Sequence, residues 1–206
     1  MVFPSVSAVE LFALASIALL LIPGPAVLYV VTQSAEQGRA AGLASVAGIH
    51  IGTLVHIVAA AVGLSALILA SAVAFSVVKF AGAAYLIYLG VRKLLERGPA
   101  DETEPQRAPL RRLFARGAVV NVLNPKTALF FLAFLPQFVD SDRGAVWSQV
   151  VTLGLVFVAL GLVSDSLYAL AGDAVGSLLR RRATAMRRVS GSIYIGLGAV
   201  AAFARR

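Results

Sequence analysis

Two proline clusters interrupt apolar stretches that are otherwise long enough to cross a bilayer. One is Pro23-Gly24-Pro25, inside the run Leu19 to Leu28; the other is Asn124-Pro125-Lys126, inside Val119 to Phe131. Proline has no backbone N–H and its ring clashes with the preceding turn, so each cluster opens the helical hydrogen-bond ladder. In hydrocarbon a freed carbonyl is costly unless another group satisfies it. Broken helices are therefore tolerated where they are buried in protein or line a polar cavity. One break in the first span of each half of a chain is the pattern of a carrier with its site between two repeats.

The composition fits a membrane solvent. Hydrophobic residues make up 59% of the chain and charged residues 14%, against about 25% charged in soluble domains, and the mean hydropathy is +0.88. The formal net charge of +8 comes from basic residues clustered between apolar spans, which reads as topogenic charge rather than a nucleic-acid footprint. The chain has no cysteine, which removes disulfides, thiolate metal sites and dithiol redox chemistry. No Lys or Arg precedes Ser16, so the first span lacks the basic flank of a cleavable signal and is expected to stay in the protein.

The expected architecture is an all-α integral membrane protein of six transmembrane helices. They run from about Val6 to Gln33, Ala41 to Ala70, Ala72 to Leu94, Leu113 to Phe138, Trp147 to Asp173 and Val189 to Ala204. Residues 96–112 form a polar, proline-containing cytoplasmic linker between two three-helix repeats, 1–95 and 113–206. With three spans each, the repeats must run in opposite directions, giving a 3+3 inverted repeat with helices 1 and 4 broken. The odd-numbered loops hold 13 of the 18 basic residues, including seven from Arg92 to Arg116 and five from Arg180 to Arg188. That bias puts these loops in the cytoplasm and both termini outside, which in a bacterial inner membrane is the periplasm.

Few polar residues lie deep in the spans. Lys126 follows Arg116 by ten residues, which is about 15 Å along a helix. A lysine at that depth must face protein or water and have a partner, or snorkel to the interface. Asp165, in Ser164-Asp165-Ser166, is its natural counter-ion. The two read either as a permanent salt bridge or as the group a proton-coupled carrier loads and unloads. His50 and His56 are six residues apart, about 120° around a helix, which makes them a poor metal pair. Each reads as a packing histidine or as a proton carrier. Gly48 and Gly52 form a G-x-x-x-G pattern, which permits close helix approach within the bundle or a homodimer seam. No metal cluster, phosphate loop or nucleophile triad is present, so neither a metal, a cofactor nor an enzyme activity is expected.

The chain resembles the LysE/RhtB family of amino-acid exporters over nearly its whole length. The carrying motifs are Pro23-Gly24-Pro25, the Gly42, Gly48, Gly52, His56 and Gly63-Leu64-Ser65 series, and Gly82-Ala83-Ala84-Tyr85 through Gly90. Most specific is Asn121-x-x-Asn124-Pro125-Lys126-x-x-Leu129-Phe130-Phe131, closing with Leu135-Pro136-Gln137-Phe138. The resemblance implies secondary active export of amino acids or related small solutes from the bacterial cytoplasm, driven by a proton or other ion gradient. The expected substrate site is near the midplane, from Pro23, Gly24, Pro25, Asn121, Asn124, Pro125, Lys126 and Asp165. The proton-coupling candidates are Asp165, Lys126, His50 and His56. An ion permease of the same superfamily and a non-transporting membrane binding protein are the alternatives.

Overall fold

The computed structural model describes residues 4–70 and 108–172 continuously, with isolated positions among 80–95 and 174–199. The third and sixth expected spans, and most of the 96–112 linker, lie outside the continuously described residues. Within the described residues all regular structure is helical.

Helix α1 (Val6–Leu20) opens on Ser5, whose hydroxyl accepts from the Ala8 N–H. It stops short of Pro23, which cannot donate the next bond. Helix α2 (Pro25–Gln37) resumes with proline at its first position, where the missing N–H is no loss. Gly38, at φ +89°, makes the single-residue turn into α3 (Arg39–Ala70), a conformation glycine adopts without strain. Helix α4 (Leu110–Val122) ends before the second break. Helix α5 (Pro125–Leu129) starts from Asn124, whose side chain caps the Lys126 N–H at 3.1 Å.

A wide π turn follows at Phe130–Phe134, closed by the Leu135 N–H reaching back five residues to the Phe130 carbonyl. Pro136 then sits in a tight 3-10 turn, Leu135–Phe138. The expected fourth span is therefore four helical pieces of three different pitches, because both Pro125 and Pro136 remove ladder donors. Helix α6 (Val146–Leu170) is continuous.

Helix α3 and helix α6 are each long and apolar enough to cross a membrane. Helices α1 and α2, bent by 53°, pass the same test as a pair, as does α4 with the segment Pro125–Phe138, bent by 45°. Side chains buried along α6 fall at Val150, Leu153, Gly154, Phe157, Gly161, Asp165 and Ala169, one stripe at helical spacing. The other face carries exposed Leu155, Val163, Leu167 and Leu170, as expected of a helix in contact with lipid.

The main core is aromatic: the Phe130 ring lies 5.5 Å from Phe12, 5.1 Å from Phe134 and 5.2 Å from Phe157. Helices α3 and α4 approach through glycine. A Cβ on Gly52 would meet the Ala118 carbonyl at 2.7 Å, and one on Gly48 would run into the Phe114 carbonyl. The G-x-x-x-G pattern thus serves packing inside the bundle.

Candidate functional site

The prolines dictate where the site's backbone chemistry lies. In an α-helix the N–H of residue i bonds the carbonyl of residue i−4, so Pro23, Pro25 and Pro125 take that donor from the carbonyls of Leu19, Leu21 and Asn121, of which Leu19 and Asn121 keep a tighter bond from the N–H of Ile22 and Asn124, at 3.1 and 3.0 Å. Each of these carbonyls receives a side-chain donor from a distant segment. Lys126 Nζ donates to the Leu19 carbonyl at 2.7 Å and also to that of Ile22 at 2.7 Å. The Tyr168 hydroxyl donates to the Leu21 carbonyl at 3.0 Å. His56 Nε2 lies 2.8 Å from the Asn121 carbonyl, and since a carbonyl only accepts, that nitrogen carries the proton. Lys126 thus ties the second break to the first.

Asn121 organises the second break. Its amide donates to the Ile49 carbonyl and to Thr53 Oγ1, both at 2.9 Å. Its Oδ1 accepts from Asn124 Nδ2 at 3.2 Å and from Thr127 Oγ1 at 3.0 Å. All four hydrogen-bonding positions of the amide are filled. Asn121 therefore positions Asn124 and Thr127.

These groups enclose one polar pocket. Its wall takes Gly24 from the first break, Asn124 from the second, His50 and Thr53 from α3, Lys126 and Thr127 from α5, and Asp165 from α6. Pro23, Pro25 and Pro125 shape the breaks without forming the wall, and His56 faces Asn121 and Phe131 instead. The space inside is about 30 Å³, room for about two water molecules.

Asp165 pairs with His50, not with Lys126: His50 Nε2 and Asp165 Oδ2 are 3.1 Å apart. The approach lacks hydrogen-bond alignment, so Nε2, Nδ1 and Asp165 Oδ1 have no hydrogen-bond partner although both residues are buried. The imidazole reaches this position because residue 161 is glycine; a Cβ there would lie 2.5 Å from His50 Cε1. The sequence reading treated His50 and His56 alike. The fold separates them, one toward α6 and one toward α4.

A helical bundle with apolar outer faces and a buried polar pocket at two helix breaks is the architecture of a membrane translocator. The chain belongs to the LysE type translocator family, which matches residues 17–205. It is 34% identical to the homoserine/homoserine lactone efflux protein of Salmonella typhimurium, over 94% of this chain and 95% of that one. It is 33% identical to the protein of the same name from Salmonella typhi, over 94% and 95%. A membrane protein of Vibrio cholerae is 31% identical over 94% of this chain and 96% of its own length. No solved structure matches the chain significantly.

Proposed function

We propose that this protein is a secondary active exporter of amino acids or closely related amines across the bacterial inner membrane, driven by the proton gradient. The observation that carries the reading is a pocket to which both proline breaks contribute, with Lys126 and Asp165 in its wall. Those two groups complement the two charges of an amino acid. Two of the three Lys126 N–H donors are held by Leu19 and Ile22, leaving one for a carboxylate. Ala26 and Val27, also in the wall, are first-turn residues of α2, whose N–H groups have no partner within the helix and favour an anion. Asp165 Oδ1, without a hydrogen-bond partner, suits an ammonium.

The names of the Salmonella relatives make homoserine and its lactone the first solutes to test. Both carry an ammonium, and one lacks the carboxylate. The similar bends of the two broken pairs, 53° and 45°, support two inverted repeats, 1–95 and 113–206, meeting at this pocket. Both termini then lie in the periplasm. A pocket of about 30 Å³ is too small for an amino acid, so the site opens by movement of one repeat against the other.

Counterflow in proteoliposomes, with a panel of neutral and basic amino acids and an imposed pH gradient, tests the reading. Saturable exchange that rises with the gradient is the expected result. Absence of exchange across the panel, from folded protein, would overturn it.

A further inference from the structure

Five side chains that can change charge lie at or near the wall of the pocket, and three of them have structural tasks. Lys126 holds the Leu19 and Ile22 carbonyls, Tyr168 the Leu21 carbonyl and His56 the Asn121 carbonyl. The His50–Asp165 pair has no such task. Asp165 is 3% exposed and His50 5% exposed, and three of their polar atoms lack hydrogen bonds. A buried carboxylate without a contacting cation is strongly disfavoured. Lys126 is engaged by two carbonyl oxygens, so the cation in contact with Asp165 is either protonated His50 or a ligand.

We infer that His50 and Asp165 are the coupling site, where one proton and one substrate ammonium exclude each other. The inference rests on the exporter reading and specifies its coupling. When an ammonium reaches Asp165 Oδ1, a protonated His50 only 3.1 Å from Oδ2 places a second cation on the same carboxylate, and the His50 proton leaves to water on the side then open. When a proton returns to His50 from the opposite side, the ammonium is displaced there. Charge in the pocket is unchanged by the swap, and one proton moves inward for each ammonium moved outward. The remaining titratable groups facing the pair are Lys126 from α5 and Tyr168 on α6 itself. Helices α1, α2 and α4 present Leu20, Val27 and Asn121, which do not titrate.

The test uses the purified full-length protein with L-homoserine and homoserine lactone as probes, in weakly buffered detergent solution between about pH 5 and 8, where histidine changes charge. Wild-type protein is expected to release up to one proton per probe bound, with the apparent Kd rising about tenfold per unit fall in pH at the acidic end. His50→Gln, which keeps a polar side chain that cannot titrate, is expected to release no proton and to bind with a Kd independent of pH over that range. Asp165→Asn is expected to lose binding of both probes. Proton release by His50→Gln equal to wild type, or binding by wild type without any release, overturns the inference while leaving the exporter reading intact. Failure of wild type to bind or exchange any solute of the panel overturns the exporter reading, and the inference falls with it. The wild-type titration alone decides the matter if the His50 variant does not fold.

Discussion

Replacing Asn121 with alanine removes four hydrogen bonds at once. Two are donated to the Ile49 carbonyl and Thr53, and two are accepted from Asn124 and Thr127. Side-chain hydrogen bonds between membrane helices average about 0.6 kcal/mol, and those in soluble proteins about 1 kcal/mol net. Four of them give about 2–4 kcal/mol, with the Ile49 contribution softened because a helical carbonyl keeps its backbone partner. The variant should therefore be about 2–4 kcal/mol less stable. Thr127→Val deletes one of the four and should cost only about 0.6–1 kcal/mol. Because both substitutions remove the same Thr127–Asn121 bond, the double variant should be less destabilised than the sum. Reversible unfolding in bicelles reads all three values. A loss below about 0.5 kcal/mol for Asn121→Ala would refute the idea that this amide holds the second break in shape.

Three further outcomes follow from the same geometry. Lys126→Met loses two charge-assisted bonds, about 1.5–3 kcal/mol each, but also relieves the roughly 2.5–3.5 kcal/mol of placing a lysine at membrane depth. Its stability should thus change by between about 0 and 3.5 kcal/mol, short of the roughly 3–6 kcal/mol of the two bonds alone, while solute exchange falls about 10- to 100-fold; unchanged uptake by vesicles would contradict this role. Gly48→Ala and Gly63→Ala both gain about 1 kcal/mol of helix propensity, but only the first meets the Phe114 backbone, the second having nothing within 4 Å. In thermal melts Gly48→Ala should be the less stable by about 2 kcal/mol, and equal melting would argue against the close α3–α4 approach. Gly161→Ala pushes a methyl to within 2.5 Å of His50 Cε1, so it should reduce the pH dependence of probe binding with Asp165 still present; a wild-type pH profile would count against the pair's geometry.

Much of the frame is legible in the sequence because it follows from single residues. Pro23 and Pro125 lack an N–H wherever they sit, so the ends of α1 and α4 fall next to them. The long apolar periods of α3 and α6 stand at nearly the expected limits, Arg39–Ala70 and Val146–Leu170. The π turn at Phe130–Phe134 was not expected from the sequence. Pro136 sits in the quoted Leu135-Pro136-Gln137-Phe138 motif, and its missing donor disturbs the turn before it. The division of labour between the two histidines was only half visible, since a six-residue separation says that they face differently but not what they face.

The partners of the broken backbone could not be read, and the reason is physical. Counting back four residues from Pro23, Pro25 and Pro125 names, from sequence alone, the carbonyls of Leu19, Leu21 and Asn121 as those that lose their helical donor. Any buried donor can satisfy a carbonyl, so nothing local in the sequence selects which one does. The donors are Lys126, Tyr168 and His56, which lie 107, 147 and 65 residues away from those carbonyls. Sequence logic instead matches charge with charge, and so it joined Lys126 to Asp165. In the folded chain a lysine beside a proline break is better held by carbonyl dipoles that have lost their helical donor, because two costs of burial are relieved by one contact. That leaves Asp165 to His50. A group is freed for chemistry here when the backbone's own needs have been met by its neighbours, and His50 with Asp165 is what remains in this pocket after that accounting.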